Sequence, residues 1–198
     1  MKKLLFGIAL MAAIFAAGTA QAAAVIDFGT GVNSAGGIFT LLGGGNASGQ
    51  NIPIGALIVT GTPSKDGAYL VTDGVLSFNT LANTISVSGA ITGLGINAST
   101  LLTGSFTSWE ADARGLHDAT GPDTKSELLL RAIGLPLDTQ FNYFGFSLTA
   151  QQIPGTTNEW NVISTDLRNT AVPEPGSMLL LGTGLFGLAG AVRRRFKK

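Results

Sequence analysis

The chain has 198 residues, enough for one domain once targeting segments are set aside, and no cysteine. Disulfides, thiolate metal sites and cysteine nucleophiles are therefore excluded. Seven of its basic residues stand at the two ends, leaving five against all twelve acidic residues between them (12 − 5 = 7 net negative), which disfavours a nucleic-acid partner because phosphate binding depends on clustered Lys and Arg.

Residues 1–22 have the three parts of a secretory signal peptide. Lys2 and Lys3 form the positive start, Leu4 to Ala17 the apolar run, and Ala20-Gln21-Ala22 the small residues that signal peptidase accepts. Cleavage after Ala22 is expected, at a site defined by Ala20 and Ala22; the alternative is an uncleaved anchor. The short apolar run and Ala-rich exit weigh against that alternative.

From Val25 to about Asn158, apolar residues alternate with Ser, Thr, Asn or Gly, as in Ile52 to Thr62, Val75 to Asn79, Thr84 to Ser88 and Leu101 to Trp109. Such alternation predicts strands with one buried face. Asp73-Gly74 reads as a hairpin turn, since both residues tolerate positive φ. One segment breaks the pattern: Asp123 to Gly134 predicts a short helix, capped by Asp123 or Thr124 and stopped by Gly134 and Pro136. Phe141 to Thr149 and Asn158 to Asp166 return to strand. The fold class expected is mainly β: an antiparallel, jelly-roll-like β-sandwich ectodomain over residues 23–171 with one short helix.

Candidate chemistry is sparse. His117, the single histidine, lies in the polar stretch Glu110 to Asp118. With Asp112, Asp118 and Asp123 it offers a metal or acid–base reading, against the plainer one of a solvated loop. Calcium is chemically easier, but the spacing fits no EF-hand. Gly43-Gly44-Gly45-Asn46 lacks the Lys-Ser or Lys-Thr of a phosphate cradle, and Gly93-Leu94-Gly95 reads as a bulge or close-packing point. Trp109, Trp160 and Tyr143 are aromatics able to stack on sugars, with Trp160 the expected surface residue of the two tryptophans. The candidates for ligand binding are thus Trp160, Asp112 and Asp118. No catalytic residue, metal or cofactor is expected.

The C-terminal end is the most informative. Val172-Pro173-Glu174-Pro175 forces an extended backbone, because each proline fixes its own φ and biases its predecessor away from helix. Ser177 to Val192 carries no charge and sits at the lower edge of the ~17–25 residues a transmembrane helix needs. Arg193, Arg194 and Arg195 follow as a basic stop on the cytoplasmic side. This order of motif, short Gly-rich span and Arg cluster resembles the PEP-CTERM sorting signal over residues 172–198. Gly134-Leu135-Pro136, Phe144-Gly145-Phe146-Ser147-Leu148, Ser164-Thr165-Asp166 and Asn169-Thr170 before Val172 are also similar to domains that some PEP-CTERM proteins carry.

The resemblance implies recognition of Val172, Pro173, Glu174 and Pro175 by exosortase, an integral-membrane protease-like enzyme of Gram-negative bacteria. It also implies association with exopolysaccharide and biofilm. The partners expected are signal peptidase, exosortase, transiently the inner membrane, and extracellular polysaccharide. The expected function is that of a non-enzymatic surface or matrix protein, exported through the inner membrane, transiently anchored and delivered to the cell surface. The alternative is a secreted carbohydrate-binding or carbohydrate-active module.

Overall fold

The period-two alternation read from the sequence does produce strands, and they are all antiparallel. The computed structural model describes residues 23–31, 35–62 and 64–172. Its strands are β1 (Val25–Gly29), β2 (Ile38–Gly43), β3 (Asn46–Thr60), β4 (Gly67–Asn79), β5 (Thr84–Ile91), β6 (Ile96–Gly104), β7 (Ser108–Asp112), β8 (Gly115–Gly121), β9 (Asp123–Lys125), β10 (Phe144–Gln152) and β11 (Glu159–Thr170). One short helix, α1 (Glu127–Ala132), lies between β9 and β10. The signal-peptide site at Ala20 and Ala22, the motif residues Pro173, Glu174 and Pro175, the predicted span and the basic stop at Arg193, Arg194 and Arg195 lie outside the described residues. Among the described residues no helix is long and apolar enough to cross a membrane.

All eleven strands belong to one hydrogen-bonded sheet. Three pairs of strands share a column, so the eleven strands make eight columns (11 − 3 = 8). β1 and β2 both lie between β11 and β3. β6 runs on into β7, and β8 into β9, as one long bent hairpin. The joint is continuous because Ser105 N donates to Pro122 O at 3.0 Å and Thr107 N to Thr120 O at 2.7 Å. Since β6 also pairs with β5, and β8 with β10, this hairpin closes the sheet into a ring. An even number of columns allows every neighbouring pair to be antiparallel, and closure leaves no long unpaired edge among the described strands.

The two layers expected of a sandwich are thus opposite walls of one sheet. Phe78 on β4 meets Phe146 on β10 across the interior at 5.5 Å between ring centroids. A chain of rings extends from this pair: Phe39 to Phe78 and to Trp160, and Phe106 to Phe78, to Phe144 and to Trp109, with centroids 5.7–6.4 Å apart. Most contacts are edge-on, the geometry the ring quadrupole favours. Gly49 pairs with Phe78 across the ladder, and a Cβ on it would lie 2.2 Å from that ring, so the spine requires a glycine there.

Two local predictions are corrected. Asp73-Gly74 does not turn the chain; it makes a bulge inside the long β4. Asp73 takes φ +51°, and Gly74 lies so close to Ile54 O that a Cβ would sit 2.1 Å from it. The residues tolerate positive φ as foreseen, but tertiary pairing on both sides spends that freedom on a bend rather than a reversal. The helix likewise starts later than Asp123. Residues 123–125 pair with β6, and Ser126 becomes the cap, its Oγ accepting from Leu129 N at 3.2 Å. Leu129, Leu130 and Ile133 turn inward, and Gly134 at φ +77° ends the turn as predicted.

Candidate functional site

The sorting junction is where the fold and the C-terminal motif meet. β11 continues past its last residue: Asn142 N donates to Thr170 O at 2.9 Å, Ala171 N to Ala24 O at 2.7 Å, and Val172 N to Gln140 O at 2.8 Å. Ala171 also bridges Phe141. The chain therefore enters the domain at Ala23–Ala24 and leaves it at Val172 side by side, with Val172 itself 43% exposed. Residues 23–172 make one compact unit. Pro173 follows this framework directly, with no spacer between the last paired residue and the first proline.

The residues singled out for ligand binding are scattered. Trp160 is not a surface residue: it is 4% exposed and packs edge-on to Phe39 at 5.9 Å. Its neighbour Glu159 does face out, and the period of two then sends Trp160 inward; the expectation of a surface tryptophan is corrected. Trp109 is half-buried, with Nε1 donating to Gly45 O at 2.9 Å across the Gly-rich turn between β2 and β3. Of the three aromatics only Tyr143, 60% exposed, is open to solvent.

The stretch around His117 is not a loop but the β7–β8 hairpin. Asp112 at its tip accepts from Arg114 N, Nε and Nη2 at 2.8–3.0 Å, and lies 3.2 Å from His117 Nε2. The Arg114 side chain and backbone N–H hold the Asp112 carboxyl well below the usual carboxylate range. This is a turn-stabilising cluster, since every carboxylate lone pair is engaged locally. Asp118 is not part of this cluster; it lines a different hollow.

Asp118 belongs instead to a polar strip that crosses the outside of β8, β10, β11 and β1. Arg168 pairs with Gly145 and with Asp27, and Ser147 pairs with Asp166. Asp118, Thr120, Ser147, Asp166 and Arg168 line a shallow hollow of about 430 Å³, left open by the missing side chain of Gly145. Alternation puts Asp166 and Arg168 on one face of β11, but Asp27 joins them only through a non-local strand pairing. Among the described residues no cluster of three or more His, Asp or Glu side chains is placed to hold a metal ion.

Within the strip, burial pushes the Asp27 carboxyl up to about 6; the charge and hydrogen bond of Asp166 add to this, and Arg168 offsets part of it. A folded-state value above the ordinary 3.8 means the folded protein binds this proton more tightly. The associated stability is full below about pH 4 and is lost as pH rises through about 6. Asp27→Asn is expected to remove that slope, leaving the variant more stable than wild type at neutral pH by about 1 kcal/mol once solvent screening is included. Urea midpoints of the two proteins from pH 4 to 7 check it, and parallel pH profiles would contradict it.

Residues 171–195 match the PEP-CTERM protein-sorting motif. That motif is an exosortase-directed sorting signal, and it implies export with transient anchoring in the membrane before the cell surface. It likewise implies exosortase as the processing partner. No curated protein and no solved structure matches the chain.

Proposed function

We propose that the protein is a non-enzymatic component of the surface or extracellular matrix of a Gram-negative bacterium, delivered by exosortase to the exopolysaccharide layer of a biofilm. The sorting motif carries this reading, and the ectodomain fits it as cargo. A closed, cysteine-free β-domain ends at the residue before Pro173-Glu174-Pro175, so the signal follows it in sequence with no linker. The polar side chains of the outer strip, with Asp118 and Asp166, present hydroxyl and carboxylate groups where a hydrated polysaccharide meets the protein. Trp160, being in the core, supplies no stacking platform for the carbohydrate-binding alternative.

Expression of the full chain in an exosortase-bearing strain, with Val172-Pro173-Glu174-Pro175 replaced by alanines, tests the sorting. The wild type is expected to lose its C-terminal segment and reach the cell exterior, while the variant stays larger and membrane-associated. Identical processing of both sinks the proposal. Loss of the protein from the polysaccharide fraction in an Asp118→Asn, Asp166→Asn variant that is still processed tests the matrix half; unchanged partition argues against the strip.

A further inference from the structure

A buried cluster of three side chains lies where β9 faces β11 across the interior. β9 pairs with β6, and β11 with β10, β1 and β2, so β9 and β11 are not ladder neighbours. Lys125 and Asp123 have side chains 1% and 0% exposed, and Asn169 is buried beside them. Lys125 Nζ donates to Asp123 Oδ2 at 2.5 Å and to Asn169 Oδ1, with the Phe141 ring 4.0 Å away. Asn169 Nδ2 donates to Asn142 O at 2.7 Å. Asp123 Oδ1 is buried with no hydrogen-bond partner outside its own residue.

We propose that Lys125 and Asn169 become joined by an intramolecular isopeptide bond, with Asp123 carrying the proton. An amine, a carboxamide and a carboxyl group meet in a closed apolar site, on elements that folding alone brings together. Held this way, an ordinarily sluggish reaction gains the advantage of a fixed encounter. The environment also selects the reactive forms. Burial pushes Lys125 down to about 8 and raises Asp123, with their mutual attraction opposing both. A neutral amine beside a neutral carboxylic acid is the state that desolvation favours, and a desolvated lysine is a nucleophile.

The step balances without any co-reactant. The Nζ lone pair attacks Cγ of Asn169, forming the Nζ–Cγ bond. Asp123 takes a proton from Nζ and delivers one to Nδ2. The Cγ–Nδ2 bond then breaks, its electron pair leaving with the nitrogen as ammonia. The product is a secondary amide, with no change in oxidation state. Because Asn169 precedes the matched sorting motif by two residues, the bond ties the strand leading into the motif to β9. A protein with no cysteine thereby acquires a covalent staple.

The test uses the full chain as exported and purified, digested with trypsin. Arg114, Arg131 and Arg168 bracket the two partners. The expected product is a branched peptide joining residues 115–131, uncut at Lys125, to the peptide that contains Asn169. Its mass is one ammonia below the sum of its parts, and tandem spectra place the branch at Lys125. Asp123→Asn is expected to give ordinary cleavage at Lys125 and no branched product. Quantitative cleavage at Lys125 in the wild-type protein, with the Asn169 peptide recovered unlinked, overturns the proposal whether or not any variant folds.

Discussion

Phe78→Ala is expected to destabilise the domain by about 3–5 kcal/mol, the range for truncating a buried aromatic side chain. For a domain of this size such a loss lowers the melting temperature by on the order of 10 °C. Phe78 is 3% exposed and touches Phe39, Phe106 and Phe146, so it is a branch point of the aromatic spine. Truncation removes edge-on contacts worth about 0.5–1.5 kcal/mol each beyond simple area burial. The cavity cannot collapse easily, because Phe78 and Phe146 stand on opposite walls of a closed sheet whose ladders fix the spacing. Phe78→Leu, which keeps most of the volume, is expected to lose clearly less. Urea unfolding of the three proteins measures this; equal midpoints for Phe78→Ala and wild type would show that the walls do not depend on that bridge.

Breaking the buried pair at Lys125 is expected to have an effect of the same order. Lys125→Met leaves the buried Asp123 carboxyl without its partner, and removing one member of a buried pair costs about 3–5 kcal/mol. Protonation of Asp123, whose carboxyl is already raised by burial, relieves part of that cost and makes the variant recover as pH falls. The double variant Lys125→Met with Asp123→Leu separates two contributions. Replacing an ion pair by packed apolar side chains is often nearly neutral, so a pair that is only electrostatic predicts recovery close to wild type. A covalent link between residues 125 and 169 also closes a loop of 44 residues (169 − 125 = 44), worth about 4 kcal/mol by the chain-entropy relation. A cross-linked wild type therefore leaves the double variant well short of recovery. Urea midpoints of wild type, single and double variants read the difference directly.

Much of the chain was legible because its signals are local. Alternation marked the strands, since side-chain direction in a strand is set by position alone. Gly134 ended α1 as expected, because only the nearest turn decides that conformation. The C-terminal motif was readable for the same reason: proline geometry, a run of uncharged residues and an arginine cluster are properties of contiguous sequence. Where local readings failed, a distant strand had intervened. Asp73-Gly74 bends rather than reverses because β3 and β5 pair on both its sides. Residues 123–125 form a strand rather than a helix start because β6 supplies their partners. Ring closure depends on residues 105–107 carrying one hairpin from wall to wall, a contact no local pattern encodes.

The candidate sites divide along the same line. By itself the sequence determined an antiparallel β-domain without cysteine, preceding a PEP-CTERM sorting motif, because composition, period and contiguous motifs suffice for those statements. Tertiary structure decided the rest. It put Trp160 in the core, and it moved Asp118 from the Asp112 cluster to the outer strip with Asp166 and Arg168. It also gathered Asp123, Lys125 and Asn169 from two strands that never share a ladder. Their reactivity comes from shared burial and a closed geometry, and neither exists until the chain has folded around them.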